Sequence, residues 1–309
     1  MRIGSDGLRV KRWLERHLGA FEAIELTGEG KDLTVKQHGI VPPELYNREY
    51  YLADNEGFSE FKKGLDKNIH DKFRRVLDIV DIKPGMSVLD LGCGRGEMIY
   101  YCAKAGARAV GIDYSPDAVA ICRQFIQSLA SSLQNSLKVL VGSVEDFRCE
   151  EKFDYIFMVE VAEHMYDWQI ERTLRAVHGL LKPGGRLIIT TPNYLYERYF
   201  QPVKMTLDVP LRFMKYLLRI PRGKLKPKSL SEFLRAALKV KVDRGERHQK
   251  MHCNVTTRRR LKGLLCDFDA RIYCSDPSIN PLSLLVKRWL GRQIIAVAKI
   301  KKAEAAGSS

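Results

Sequence analysis

Two hydrophobic periods alternate along the chain. Short runs of branched and aromatic residues, "SVLDLG", "RAVGID", "LKVLVGS", "FDYIFMVEV" and "RLIITTP", recur from residue 87 to residue 192. Between them the apolar residues fall three and four apart. The runs read as buried strands and the intervening stretches as amphipathic helices. The spacing predicts helices over 97–105, from 116 onward and over 168–181. Ser115 supplies an N-cap and Pro116 a first turn for the second helix, and Lys182-Pro-Gly-Gly185 closes the third. Apolar strands alternating with helices imply a parallel sheet covered on both faces, with ligands outside the carboxyl ends of the strands.

The flanks are less regular. A helical period runs over 59–80 through Phe61, Leu65, Ile69, Phe73, Val76, Leu77 and Val80, and Pro84-Gly85 then breaks the chain. Upstream, residues 8–19 read as a short basic amphipathic helix, and "FEAIEL" and "LTVKQ" flank "TGEGKD" as a small hairpin. After Asn193 the alternation stops. It resumes with a helix near 256–266, a strand around 268–274 and a last strand, "RQIIAVAKI". With no helix between them, the last two strands are expected to pair antiparallel at the sheet's edge. The tail, "KKAEAAGSS", reads as disordered.

Composition and charge narrow the picture. The chain has 309 residues, 45% hydrophobic and 29% charged, enough for one large domain with appendages. No apolar run approaches the roughly 20 residues of a membrane span. The N-terminus lacks the apolar stretch and cleavage site of a signal peptide. Seven cysteines are scattered without a Cys-x-x-Cys pair, which points to reduced thiols in the cytoplasm and to no metal site. The net charge of +15 is concentrated: 18 Lys and Arg stand against 4 Asp and Glu between Gln201 and Lys262. A nearly neutral body carrying one basic segment suggests an anionic partner or surface.

The chemistry is clearest in "VLDLGCGRGE" at residues 88–97. A dinucleotide fingerprint wants G-x-G-x-x-G, but position 97 is Glu and the third glycine arrives early, at Gly96. No Gly-Lys-Ser/Thr follows, so a phosphate-cradling loop is also disfavoured. What remains is Asp-x-Gly-x-Gly-x-Gly. The acid, Asp90, is poor company for a pyrophosphate and suits an ammonium group. Asp113 ends the second strand, where its carboxylate can accept both hydrogen bonds from a ribose diol. Together these describe a nucleoside with a cationic amino-acid arm.

With "AVGIDYS", "GSVEDF", "VEVAEHM" and "LKPGGRLIITTPN" following in order, the chain strongly resembles the class I S-adenosylmethionine-dependent methyltransferases. The resemblance covers roughly residues 75–195 and again 250–300. It implies an α/β Rossmann-like fold with a mostly parallel seven-stranded sheet, an antiparallel last strand and S-adenosylhomocysteine as the spent cofactor. It also implies that Gly92, Cys93, Gly94 and Gly96 admit the cofactor to the backbone and that Asp90 orients its methionine end. Asp113 would hold the ribose and Tyr114 flank the adenine, whose edge would meet Ser143, Val144 and Glu145. Glu160 and Val161 would border the transferable methyl. The family often has Asp where Ser143 stands, which leaves Ser143, Glu145 and Asp146 as alternatives at the exocyclic amine. A solvated loop is the plain alternative for Glu145-Asp146.

Methyl transfer to a hydroxyl requires positioning and a base for its proton. His164, in "EVAEHM", is similar in placement to the Glu-His element of the ubiquinone-biosynthesis O-methyltransferases and is the candidate base; Glu163 reads as structural. Tyr46, Tyr50 and Tyr51 are candidates for a cover over the cofactor. His252 and Asn254 resemble the entry to the last helix in type-11 methyltransferases, where they would face the acceptor or anchor a cap. The motifs of DNA amino- and cytosine-methylating enzymes are lacking, so a nucleic-acid base is disfavoured.

The basic segment divides a core of 59–195 and 253–301. An N-terminal extension and lid, 1–58, precedes it, an insertion, 196–252, interrupts it, and a tail, 302–309, follows. In "LDVPLRFMKYLLRIPR" (207–222) Arg212, Lys215, Arg219 and Arg222 form one stripe opposite large apolar residues, and Ser229 and Glu232 open a second helix as a capping box. Such a face suits an anionic bilayer surface through residues 201–250. The alternatives are a helix packed on the core with solvated charges, and RNA. The expectation is an O-methyltransferase, cytoplasmic and peripheral at the membrane's inner face, acting on a small or lipid-linked acceptor such as a saccharide or quinone precursor. N- or C-methylation and a non-catalytic cofactor- or RNA-binding protein are the alternatives. "REYYLADNEGF" adds a similarity to bacterial methyltransferases of polysaccharide and glycolipid assembly.

Overall fold

The computed structural model of the protein describes residues 40–201, 251–275 and 291–301. The helix expected at 8–19, the hairpin after it, the helices of the basic segment and the tail lie outside the described residues. Seven strands form one sheet: β1 (Ser87–Leu91), β2 (Arg108–Asp113), β3 (Leu137–Val141), β4 (Phe153–Val159), β5 (Leu181–Pro192), β6 (Phe268–Ser275) and β7 (Gln293–Ile300). Their spatial order is β3-β2-β1-β4-β5-β7-β6. The first five pair in parallel, and β7 runs antiparallel to both β5 and β6. The expected antiparallel pair is present, with the last strand inserted between β5 and β6.

Strand alternation sorts the core into two layers. Leu89 and Leu91 of β1, Ile156 and Met158 of β4, and Leu187 and Ile189 of β5 pack against Ile170, Leu174 and Val177 of the helix Asp167–Leu180. Val88, Phe157 and Ile188 face the opposite layer, with Val76, Met98, Ile99 and Val119 from the helices on that side. Covering both faces is what lets β1 be buried along its whole length.

Two local departures have local causes. The period over 59–80 becomes two helices, α1 (Phe58–Lys63) and α2 (Asp71–Leu77), because Gly64 ends the first with φ +94° and the His70 side chain caps the second at the Lys72 amide. Helices α3 (Glu97–Lys104) and α4 (Pro116–Gln127) follow β1 and β2 as expected. The segment Lys182-Pro-Gly-Gly185 belongs to β5 and forms a bulge: Phe153 pairs with Leu181, but Tyr155 pairs with Arg186.

Residues 40–58 lie against the carboxyl end of the sheet. Here Pro43–Tyr46 form a 3-10 turn and Tyr50–Asp54 a π turn. Arg95 fastens them. It is 1% exposed, pairs with buried Glu97 at 2.6 Å, and donates to the carbonyls of Tyr51 (2.7 Å) and Glu56 (3.0 Å). Phe58 and Phe61 lie within 6.0 and 5.4 Å of its guanidinium. Removing one member of a buried pair leaves the other desolvated. Arg95→Met should therefore lower the unfolding free energy by about 3–5 kcal/mol in urea titrations; a loss under about 1 kcal/mol would show that the latch is dispensable.

Candidate active site

A cleft of about 840 Å³ opens at the carboxyl ends of β1, β2, β4 and β5. The glycine loop forms its floor. Gly92 has φ +77°, and a Cβ there would lie 2.5 Å from Val161 Cγ2, so the β1 and β4 ends meet only because the side chain is absent. The amides of Gly92 and Cys93 donate to the Ile112 carbonyl at 2.8 and 3.0 Å. Gly94 donates to Asp113 Oδ2 at 2.9 Å, and Ser115 to Oδ1 at the same distance. Burial raises the Asp113 carboxyl to about 6 despite these two donors. Gly96 does not line the cleft, contrary to its expected role. It caps α3 with φ +90°, and a Cβ there would press on Cys122 Sγ at 2.5 Å.

Asp90 is 3% exposed and lines the same floor. Its Oδ1 has no hydrogen-bond partner. Burial, then the charges of Asp113 and Glu97, raise this carboxyl to about 8, while Lys72 opposes the shift. On the β3 side, Ser143, Val144 and Glu145 line the cleft with Tyr114. Glu145 is buried and accepts from Gln169 Nε2 at 3.0 Å, so it is not the solvated residue of the plain alternative. Asp146 is the exposed member and pairs with Arg172 at 2.6 Å. Trp168, whose Nε1 is buried without a partner, stands beside them.

The wall beyond β4 carries the titratable groups. Glu160 has φ +59°, the one positive φ outside glycine among the described residues, and its amide donates to the Thr190 carbonyl at 3.0 Å. Gln293 donates to its carboxylate, and burial holds the carboxyl above its ordinary range. Glu163 is 1% exposed and accepts from Thr191 Oγ1 at 3.2 Å; burial and the Glu160 charge push it well up. His164 Nδ1 is 3.1 Å from the Met251 carbonyl. A carbonyl only accepts, so that contact assigns the proton to Nδ1 and leaves Nε2 as the basic nitrogen. The His164 ring meets Tyr46 at 5.4 Å and His252 at 4.6 Å, edge to face.

Most of the expected residues converge. His164, His252 and the three tyrosines line the cleft with the glycine loop and with Glu160 and Val161. Burial raises Tyr50 to about 12, so these rings act as neutral walls. Asn254 does not face the cleft. Its amide donates to the Met165 carbonyl and to Asp167 Oδ1, both at 2.9 Å, which is the anchoring role. Where the composition pointed to no metal site, Glu163, His164 and His252 hold ligand-type atoms within 4.8 Å of one another. Sequence reading also passed over Lys72, Arg75, Trp168, Arg292 and Gln293. The two cations of α2 looked like polar positions of an amphipathic helix, and position 293 like the start of an edge strand.

Asp90 makes the cleft pH-sensitive. Its ordinary value of 3.8 rises to about 8, so the folded protein keeps a proton that the unfolded chain has released. Its contribution to stability is complete below the ordinary value of 3.8 and is lost as pH rises from there through about 8. Asp90→Asn removes that titration and should raise unligated stability by about 2–5 kcal/mol at pH 9 relative to pH 4. Parallel urea curves for the two proteins across that range would mean that Asp90 titrates normally.

A family model described as "Methyltransferase domain" matches residues 61–275. The ubiquinone biosynthesis O-methyltransferase of Xanthomonas campestris pv. campestris (strain B100) is 36% identical over 163 residues, 50% of this chain and 62% of the relative. That of Xanthomonas euvesicatoria pv. vesicatoria (strain 85-10) is 39% identical over 111 residues, 35% and 44% of the two chains. The chain thus spans less than two thirds of these relatives' length. In the Haloferax volcanii complex between the Trm112 methyltransferase activator and a methyltransferase, one chain is similar at a TM-score of 0.52. The identity is 14%, over 82% of this chain and 97% of that one, a likeness of fold. With the family model covering well over half of its length, strand order and glycine loop included, the chain belongs to the methyltransferase-domain family.

Proposed function

We propose that the protein transfers the methyl group of S-adenosylmethionine to a hydroxyl of a small or lipid-linked acceptor. The observation that carries this reading is one cleft holding two unlike halves. Asp90 and Asp113 sit under the glycine loop on one side, and the His164 imidazole stands on the other. The residues fit the cofactor. Asp90 has an orphaned buried oxygen that an ammonium would satisfy, and Asp113 is oriented by two amides with lone pairs left for a diol. Tyr114, Val144 and Ser143 offer a half-apolar slot for a purine. Bound there, S-adenosylmethionine supplies an electrophilic methyl on a sulfonium.

The chain's own part is to bind, exclude water and move one proton. Tyr46 and Tyr51, both buried, wall the cleft, while Val161 packs against the glycine loop. His164 takes the acceptor's hydroxyl proton at Nε2, and its Nδ1–H stays on the Met251 carbonyl to fix the ring. The O-methyltransferase names of the relatives support oxygen as the methylated atom. For N- or C-methylation a strong base is less necessary. One observation favours a variant of the same reading: Glu163, His164 and His252 have the atoms and spacing to hold a divalent cation, which would acidify a hydroxyl directly.

A lipid-linked acceptor is supported by charge, since 18 Lys and Arg between Gln201 and Lys262 suit an anionic bilayer surface. No helix among the described residues is long and apolar enough to cross a membrane.

His164→Gln should lower kcat for hydroxyl methylation by about 10²–10⁴-fold and leave S-adenosylhomocysteine affinity within about twofold. Turnover near the wild-type rate would favour N- or C-methylation. Dialysis against EDTA separates the variants: unchanged activity supports the imidazole alone, and loss restored by Mg²⁺, Mn²⁺ or Zn²⁺ supports a cation at the cluster.

A further inference from the structure

The cleft holds more cationic side chains than the cofactor reading uses. Lys72 and Arg75 lie one turn apart on α2, Arg292 immediately precedes β7, and all three line the cleft. Lys72 is buried and acts on Asp90, Glu160 and Glu163, which places it at the cofactor's amino-acid end. Arg75 keeps different company. The principal charges acting on it are Glu160, Asp71, Arg292 and Glu56. It shares a second hollow with Glu56 and with Arg292, which precedes β7, and so stands toward the β7 end of the cleft, the side on which we place the acceptor.

Two of its three guanidinium nitrogens lack a partner. Nε and Nη1 are closed off from solvent without a hydrogen-bond partner. The neighbouring acids are engaged elsewhere: Glu56 with Arg292 at 2.8 Å, Glu160 with Gln293, and Asp71 with Arg74 at 3.9 Å. Arg75, Arg292 and Glu56 also line a second hollow of about 310 Å³, so this cluster stands where the cleft meets a side chamber. A guanidinium stays protonated, and N–H groups closed off from water without an acceptor are costly until an anion arrives.

We propose that Arg75, with Arg292 beside it, is a receptor for an oxyanion carried by the acceptor, a carboxylate or a phosphate. The acceptor would then be an acid or phosphoester and not a neutral molecule. A planar guanidinium suits both groups by paired hydrogen bonds. This rests on the hydroxyl-methylation reading of the same cleft and adds the substrate class. Arg75 would set specificity through binding, at a distance from the proton-transferring imidazole.

The test uses the full chain saturated with S-adenosylhomocysteine and titrated calorimetrically with benzoate and with inorganic phosphate at constant ionic strength. Wild type should bind at least one of them, and Arg75→Gln should weaken that binding by about tenfold or more. Arg75→Lys, which keeps the charge but loses the fork, should retain part of it and reports a folded protein if the Gln variant fails. Equal oxyanion binding by wild type and Arg75→Gln, or none by wild type, overturns the proposal. A second arm compares S-adenosylhomocysteine with 5′-methylthioadenosine, which lacks the amino-acid end. Should Arg75→Gln weaken only the former, the guanidinium serves the cofactor's carboxylate and the acceptor assignment falls. A wild type that binds oxyanion but no S-adenosylhomocysteine would sink the methyltransferase reading and leave the anion receptor standing.

Discussion

Two backbone amides, from Gly94 in the glycine loop and Ser115 at the start of α4, converge on the buried carboxylate of Asp113. That convergence ties the turn after β1 to the turn after β2, and the cover of the cleft is fastened to the same two turns. Ser115 caps α4 through the Ala118 amide and donates its hydroxyl to the Tyr46 carbonyl. Arg95, the residue after Gly94, holds the carbonyls of Tyr51 and Glu56. The tyrosine segment is thus pinned at both ends by groups that the Asp113 carboxylate positions. Without the carboxylate, two amides would be left without acceptors and the floor and cover would lose their common reference.

Asp90, Asp113, Glu160 and Glu163 all line the cleft, and burial pushes each of them up. Lys72 is the cation that Asp90, Glu160 and Glu163 have in common. A site so rich in desolvated carboxyls favours a cationic ligand, because a positive charge brought among them restores their ionised form. An ammonium and a sulfonium at the two ends of a methionine arm match that demand. Arg75 and Arg292 line the same cleft, so cationic side chains stand in it beside the buried acids.

How much of this was legible depended on whether a residue's role is local. The central strands, α3 and α4, and the Ser115 cap were readable because burial on both faces imposes apolar runs, and a cap is set by its nearest neighbours. Gly92 and Asp113 were readable from spacing. Gly96 was misassigned because a glycine that admits a ligand and one that admits Cys122 Sγ look alike in a motif. The helix over 59–80 was overextended because Leu65 and Ile69 continued the period across Gly64. Asn254 was left between facing the acceptor and anchoring a cap, because the partners that engage its amide, Met165 and Asp167, lie nearly ninety positions away.

By itself the sequence determined the layered α/β architecture, the glycine loop and its two acids, since each follows from periodicity or from contacts within a few residues. It also fixed the concentration of positive charge after Gln201. Only the tertiary structure decided that β7 enters between β5 and β6, bringing Gln293 to Glu160 and Arg292 to Glu56. It alone gathered Glu163, His164 and His252 within 4.8 Å and left Arg75 Nε and Nη1 without partners in the same cleft. The reason is physical: desolvation, and the partners that offset it, depend on distances between segments far apart in the chain, and no local pattern records those distances.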